Sequence, residues 1–198
     1  MTSRPHAPAA ERNREPILVV LRTEFGDRCR VLEIGSGTGQ HAVWLGRELA
    51  HLVWQTSERP GNLAGVRAWV GGEGLANVPP PIELDAASLD VPSGRYDAVF
   101  SANTAHIMSV DVVRAMFGLA GRVLPRAGKF CLYGPFNMQG EFTSDSNRAF
   151  DASLRARDPA MGIRDIGMLD QFAASAGLAR TAVYAMPANN FCVLWVRS

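Results

Sequence analysis

The sequence has almost no lysine, few cysteines and no long hydrophobic run. Lys129 is the one lysine among 20 basic residues, a bias toward arginine from which we draw no function. Cys29, Cys131 and Cys192 are scattered, without a C-x-x-C pair or a histidine at ligand spacing. We therefore expect three free thiols in the core, and no metal site.

Charge of one sign is also lacking. The 20 basic residues are balanced by 19 acidic ones, so the net charge of +1 gives no reason to expect a nucleic-acid partner. No apolar run approaches the roughly 18 residues of a membrane span, and residues 1–14 lack the apolar centre of an export signal. We expect no membrane association and a cytoplasmic location. The oligomeric state is not predicted.

Length and apolar content indicate a globular chain. With 198 residues and 47% hydrophobic residues, the sequence suits one domain over 1–198. Residues 1–10 are polar and rich in proline and alanine, which predicts a flexible tail.

Helix-like and strand-like segments alternate along the chain. Helices are predicted over Pro16–Phe25, Gln40–Leu49, Leu63–Val70, Val110–Leu124 and Met168–Ala176. Strands are predicted over Val31–Ile34, Leu52–Thr56, Ile82–Leu84, Asp97–Ala102, Phe130–Tyr133, Ala182–Met186 and Phe191–Val196. This order predicts an α/β fold: the class I methyltransferase Rossmann-like doubly wound sheet, mostly parallel, with a C-terminal antiparallel β-hairpin.

The stretch 136–164 interrupts this alternation. It is polar and long for a connector, so it is expected either to cover a pocket as a lid-like insert or to be a solvated surface loop.

A glycine-rich turn follows the first predicted strand. Gly35, Gly37 and Gly39 alternate with Ser36 and Thr38 just before a predicted helix. Bare backbone and helix N-terminal amides at one place are typical of a nucleotide site. The third glycine comes one position too early for a dinucleotide fingerprint, which favours S-adenosylmethionine over NAD. Glu33, before the turn, could hold the ammonium group of that cofactor; a plain tight turn is the alternative.

Acidic residues also follow the next two predicted strands. Glu58 is placed to accept hydrogen bonds from ribose hydroxyls, and Asp85 from an adenine amino group, with the Ala86 amide facing a ring nitrogen. Either acid alone could be a surface residue. Their order after successive strands supports the cofactor site.

The ends of the fourth and fifth strands carry the candidate catalytic residues. His106 is a candidate base, because imidazole titrates near neutral pH; its alternative role is to fix the following helix. Asn103 could hold the substrate or cap a turn, and Tyr133 could line the acceptor pocket or pack in the core. Orientation alone can supply much of the rate of a methyl transfer, so a base is not required.

Two arginines, Arg12 and Arg14, precede the first predicted helix. They could clamp an anionic acceptor, or be a solvated surface pair.

Several longer stretches resemble the methyltransferase-like 26 family, over nearly the whole chain. They are Glu11–Ile17, Gly35–His41, Tyr133–Phe136, Asn147–Pro159 and Met186–Asn190. The resemblance implies a class I methyltransferase fold and S-adenosylmethionine binding, but no specific substrate or base. It also makes the insert, Asn189 and Asn190 candidate pocket elements. The family often has Ser-Asp where this chain has Ser57-Glu58, so the carboxylate is kept, one methylene longer.

These observations predict a methyltransferase that uses S-adenosylmethionine and acts on a small-molecule acceptor. A non-catalytic module that binds S-adenosylmethionine or S-adenosylhomocysteine is the alternative. A nicotinamide oxidoreductase is a third possibility, disfavoured by the glycine spacing.

Overall fold

A computed structural model describes residues 4–88 and 95–198. Its helices are α1 (Pro8–Glu24), α2 (Gln40–Glu48), α3 (Leu63–Glu73), α4 (Val110–Val123), α5 (Asp145–Arg157) and α6 (Ile166–Ser175). Its strands are β1 (Arg30–Ile34), β2 (Val53–Glu58), β3 (Ile82–Glu83), β4 (Ala98–Ala102), β5 (Lys129–Gly134), β6 (Phe136–Asn137), β7 (Arg164–Asp165), β8 (Leu178–Met186) and β9 (Asn190–Arg197). The predicted α/β fold is confirmed.

Seven strands form the main sheet, in the order β3-β2-β1-β4-β5-β9-β8. Strands β1 to β5 are parallel, and β9 pairs antiparallel with both β5 and β8. The strand order reverses between β1 and β4, so the chain leaves these neighbouring strands in opposite directions. Such a reversal opens a crevice at the carboxyl ends of the strands.

Each face of the sheet buries its own hydrophobic cluster. Along β5, Phe130 and Leu132 face the cluster under α4 and α6, whereas Cys131 and Tyr133 face the cluster under α1, α2 and α3. This alternation follows from the period of two in a strand. Both faces are therefore covered, as a parallel sheet requires.

The cysteines are free, as expected, but not all of them lie in the core. Cys131 and Cys192 are buried on adjacent strands, whereas Cys29 is exposed. Cys29 lies just before β1, whereas Cys131 and Cys192 lie inside the buried strands β5 and β9.

Helix α1 is longer than predicted. It begins at Pro8 and contains Pro16, so residues 8–10 of the predicted tail form its first turn, while residues 1–3 lie outside the described residues. A proline inside a helix removes one hydrogen bond. Here the buried stripe continues on both sides of the proline, through Ala10, Asn13, Ile17 and Leu21. Burial of this stripe explains why the helix begins before Pro16.

The stretch 136–164 contains α5 and most of a small parallel pair, β6 and β7. Arg164 fixes its end: its guanidinium donates to the carbonyl oxygens of Ala160 at 2.7 Å and Ala105 at 3.2 Å, and also to that of Met108. The Gly162 amide donates to the His106 carbonyl oxygen at 2.9 Å. These bonds attach the insert to the segment that follows β4.

Within residues 4–88 and 95–198, none of the helices combines the length and the hydropathy needed to cross a bilayer.

Replacement of Arg164 by methionine should destabilise the fold. The side chain is 4% exposed, and its loss leaves its carbonyl partners without their donor. We expect the free energy of unfolding to fall by about 2 to 4 kcal/mol in urea denaturation. Arg126→Met, at an exposed arginine in the turn before β5, is the matched control and should change it by less than about 0.5 kcal/mol. Equal effects of the two substitutions would show that the buried guanidinium does not hold the insert.

Candidate functional site

A cavity of about 590 Å³ lies at the carboxyl ends of the first four strands. Its volume is within the range of small-ligand sites. The segments after β1, β2, β3 and β4 contribute most of its wall, and the N-terminal segment and the insert complete it. The lining residues that were predicted from the sequence are Gly35, Ser36, Gly37, Glu58, Asp85, Ala86 and Asn103.

The glycine turn uses its glycines for different purposes. Gly35 has φ of +71°, and a Cβ there would lie 2.8 Å from Cγ2 of Thr104. Gly37 has φ of +58°, and a Cβ there would meet no atom of the described residues within 4 Å, so its backbone faces open space. Gly39, with φ of +90°, instead allows α2 to approach α3, because a Cβ would lie 3.1 Å from Cα of Val66. Gly39 does not line the cavity, although the glycine pattern predicted that it contacts the cofactor.

Glu58 joins the turn to the end of β2. Its Oε2 accepts a hydrogen bond from the Gly37 amide at 2.9 Å, and its Oε1 accepts one from the Arg59 amide at 2.9 Å. Only 8% of this residue is exposed, and it lines the cavity. A carboxylate is therefore held at the wall beside the open backbone of Gly37.

Glu33 lies beneath the turn rather than on the cavity wall. Its Oε2 accepts hydrogen bonds from the Ser36 hydroxyl at 2.8 Å and from the Trp54 indole at 3.1 Å. Burial raises the pKa of Glu33 to about 7, although both hydrogen bonds act in the opposite direction. The structure thus places Glu33 as a support of Ser36, which itself lines the cavity.

Asp85, Ala86 and Asn103 line the cavity just after β3 and β4. Oδ1 of Asp85 accepts from the Ala87 amide at 2.9 Å, and Asp85 is exposed while Ala86 is buried. Asn103 has φ of +58°, and its amide donates to the Tyr133 carbonyl oxygen at 2.9 Å. Asparagine tolerates this left-handed conformation better than most residues, which lets the chain turn sharply as it leaves β4.

His106 and Tyr133 do not line the cavity, although both were candidates for its acceptor end; fixing the following helix and packing in the core were their alternative roles. His106 is buried against the Phe150 ring, with 5.3 Å between ring centroids, and burial lowers its pKa to about 4. Tyr133 points into the core on the α1 side of the sheet, and burial raises its pKa to about 12. Side chains alternate between the two faces of β5, and this alternation turns Tyr133 toward the α1 face of the sheet instead of toward the cavity at the strand end.

The predicted substrate-binding residues also lie away from the cavity wall. Arg12 is exposed, and the Arg14 guanidinium lies 5.2 Å from the centroid of the Trp44 ring. Asn189 accepts a hydrogen bond at its carbonyl oxygen from the buried Asn147 side chain at 3.0 Å. Asn190 donates to the carbonyl oxygens of Pro187 and Ala188, at 3.1 Å each. The two asparagines thus shape the β8–β9 turn and attach it to α5.

Sequence reasoning missed several residues of the wall. His41 is the second residue of α2 and lines the cavity. Its place directly after the glycine turn was a usable signal. The other missed residues are in segments that return to the site from a distance; they include Ala7, Ala9, Ala10, Asp158 and Ala160. Among the residues that the structure describes, no three His, Cys, Asp or Glu side chains are grouped so that they could hold a metal ion.

The architecture matches solved methyltransferases. An O-methyltransferase family protein from Burkholderia thailandensis superposes with a TM-score of 0.81 at 16% identity, over 93% of this chain and 56% of that one. The S-adenosylmethionine-dependent methyltransferase SibL, in its apo form, gives 0.78 at 22% identity, over 95% and 55%. PigF with SAH gives 0.80 at 15% identity, over 94% and 56%. The chain therefore spans about half the length of these structures, and at such identities the likeness shows the fold.

The fold is thus that of the class I methyltransferases. The chain itself belongs to the DUF938 family, a family of proteins of unknown function, whose sequence pattern matches residues 4–197. The narrower resemblance to the methyltransferase-like 26 family is not confirmed by these comparisons and stays a prediction.

The raised pKa of Glu33 makes stability depend on pH. In the folded chain the carboxyl keeps its proton up to about pH 7, whereas in the unfolded chain it ionises near 4.5. The folded state therefore binds more protons between these values, and its stability falls as pH rises through them. Glu33→Gln removes this loss. From pH 5 to pH 8 we expect its unfolding free energy to gain about 2 to 3 kcal/mol relative to wild type, measured by urea denaturation. Parallel pH profiles of the two proteins would contradict a buried carboxyl of raised pKa.

Alanine at Gly35 and at Gly37 should have different costs. Both positions have positive φ, which costs about 1 to 2 kcal/mol for alanine. At Gly35 the new Cβ also meets Thr104, whose methyl group cannot easily turn away, because its hydroxyl is bonded to the Ser101 hydroxyl at 2.7 Å. We expect Gly35→Ala to lose about 1 to 3 kcal/mol more than Gly37→Ala in the same denaturation assay. Equal losses would mean that the turn relaxes away from Thr104.

Proposed function

We propose that this protein is an S-adenosylmethionine-dependent methyltransferase that acts on a small molecule in the cytoplasm. The observation that carries the proposal is the pairing of Gly37, whose backbone faces open space, with the Glu58 carboxylate in one cavity wall. The fold agrees with it, since the solved structures of the same architecture include S-adenosylmethionine-dependent enzymes.

The donor set of the cavity fits this cofactor. Carboxylates at Glu58 and Asp85 suit the hydroxyl and amino groups of an adenosine, and the amides of the glycine turn suit its amino-acid end. Ala86 would face the adenine ring. Glu33 would act through Ser36, as the support of the turn.

The remaining wall would receive the methyl acceptor. Of the three candidate catalytic residues, Asn103 is the one that lines the cavity. Asp158 and Ala160 of the insert line the same cavity. A cavity bounded by the insert and the N-terminal segment suits a small acceptor better than an extended polymer. We accordingly assign the insert over 136–164 as the cover of the acceptor end, within a single domain.

The cofactor supplies a methyl group on a sulfonium sulfur. The protein's part is to hold the acceptor in line with that group and to keep water away, since orientation alone can lower the barrier by several kcal/mol. The buried positions of Ser36, Glu58 and Thr104 hold the walls firmly enough for this task.

The alternative is a module that binds S-adenosylmethionine or its product without methyl transfer. The same turn and carboxylates would serve it, so binding alone does not separate the two. Transfer of a labelled methyl group does. A nicotinamide oxidoreductase is disfavoured, because Gly39 faces α3 and only Gly35 and Gly37 of the turn line the cavity.

Binding of S-adenosylhomocysteine tests the cofactor site. We expect saturable binding by isothermal titration calorimetry, and about 10-fold or greater weakening in Glu58→Gln, because the variant replaces a charged acceptor with an amide. Glu83→Gln is the matched control, since Glu83 is the exposed register partner of Glu58 on the neighbouring strand. NADH should not bind.

Transfer from methyl-labelled S-adenosylmethionine to a broad metabolite extract tests the activity. A labelled small-molecule product is the expected result. Tight S-adenosylhomocysteine binding without any labelled product would support the binding module instead, and NADH binding without S-adenosylhomocysteine binding would support the oxidoreductase.

A further inference from the structure

A buried hydrogen-bond chain ends at the cavity wall. His41 lines the cavity, and its Nε2 lies 2.6 Å from Oδ1 of Asn13 on α1. Asn13 is 9% exposed, and its side chain is also hydrogen-bonded to the Tyr133 hydroxyl. His41 of α2 is thus linked through Asn13 of α1 to Tyr133 of β5.

The direction of these bonds fixes the state of the imidazole. The atom of Asn13 that faces His41 is Oδ1, at 2.6 Å from Nε2. An amide oxygen only accepts hydrogen bonds, so Nε2 must carry a hydrogen to donate to it. The amide nitrogen of Asn13 is then left for the Tyr133 oxygen, and this contact lowers the pKa of the phenol. Burial lowers the pKa of His41 to about 4, so the ring is neutral at neutral pH. Nδ1 therefore holds a lone pair.

This lone pair is accessible. Within residues 4–88 and 95–198, Nδ1 of His41 forms no hydrogen bond. The fully buried polar atoms without a partner in these residues belong to Arg14, Thr56 and Asn137, and not to His41. Since His41 lines the cavity, Nδ1 is open to a ligand in it.

We propose that His41 is the group that accepts the proton of the methyl acceptor, with Asn13 and Tyr133 as positioning residues. The inference rests on the proposed methyltransferase function. It also names the substrate class: a neutral small molecule whose nucleophilic atom is the oxygen of a hydroxyl or the nitrogen of an amine and still carries a hydrogen. A carboxylate or a thiolate cannot donate to Nδ1.

The transfer balances with this assignment. A lone pair of the acceptor's oxygen or nitrogen forms the bond to the methyl carbon, the carbon–sulfur bonding pair stays with sulfur, and the acceptor's proton passes to Nδ1. His41 then releases the proton to water. A methylated oxygen or nitrogen that still holds the extra proton is far more acidic than the starting group, so a weakly basic imidazole that is neutral before the transfer is able to take the proton and then release it.

The first test combines binding and turnover in the full-length chain. His41→Asn should reduce kcat on the acceptor identified from the metabolite extract by about 100-fold, while the affinity for S-adenosylhomocysteine stays within about 3-fold. His51→Asn, at an exposed histidine after α2, is the matched control and should change neither value. The methyl group of the product should be on a former hydroxyl or amine.

Asn13 provides a second set of variants. Asn13→Asp keeps an acceptor for Nε2 and should retain most of the kcat, whereas Asn13→Ala removes it and should lose about 10-fold with little change in S-adenosylhomocysteine affinity. Asn13→Leu, which has a similar side-chain volume but no acceptor, should lose as much kcat as Asn13→Ala. Retention of activity by aspartate but by neither leucine nor alanine distinguishes positioning of His41 from simple packing, which leucine would largely preserve.

A third readout does not depend on turnover or on folding of a variant. Nitrogen NMR of the ¹⁵N-histidine-labelled wild-type chain should show Nδ1 of His41 unprotonated and Nε2 protonated, both with and without S-adenosylhomocysteine. A protonated Nδ1 would overturn the inference and leave the proposed function intact. So would unchanged kcat in His41→Asn, lost cofactor affinity in that variant, or a methyl ester or thioether product. Absence of S-adenosylhomocysteine binding or of any labelled product would overturn the proposed function itself, and the inference with it.

Discussion

The reversal of strand order between β1 and β4 is the constraint on which the rest of the site depends. It separates the segments that follow these two strands and so leaves room at the edge of the sheet. The glycine turn can use this room because Gly35 approaches Thr104 more closely than any side chain would allow. Glu58 then attaches the turn to β2 through the Gly37 amide. The cavity is therefore a result of topology first and of local sequence second.

Sequence patterns predicted the parts of the site that are local. Gly35, Gly37, Glu58, Asp85 and Asn103 all reach the cavity, because each lies at the end of a parallel strand or shortly after it, and such strands end at one edge. Glu33, His106 and Tyr133 were also candidates for this site, but their side chains are buried and do not line the cavity. Whether a side chain at a strand end faces a ligand or the core depends on the exact residue at which the strand ends, since neighbouring residues point to opposite faces, and on the packing of the adjacent helix. A single sequence shows neither the exact strand end nor the helix packing.

The walls that come from distant segments were the least predictable. The contact of α1 with α2 brings Ala7, Ala9 and Ala10 to the cavity, and it depends on a helix that continues through Pro16 against local propensity. The insert reaches the same space through the Arg164 contacts to the backbone carbonyls of Ala105 and Met108, which are far away in the chain. Contacts between distant residues produce no periodic pattern in the sequence. Composition therefore marked the insert as unusual but did not show which part of the fold it packs against.

Burial shifts the pKa values of three titratable groups near the site toward the neutral form, and the groups differ in whether they line the cavity. Glu33 and His106 are both buried and have pKa values shifted toward their neutral forms. Glu33 is hydrogen-bonded to Ser36 and Trp54, and His106 packs against Phe150 away from the cavity wall that His41 lines. His41 is also neutral, yet one of its ring nitrogens has no partner among the described residues. Leaving a polar atom unpaired at a cavity wall is costly unless a ligand or water completes it. Asn13 of α1 orients the His41 ring of α2, and an oriented lone pair at the wall is suited to a ligand that brings a hydrogen.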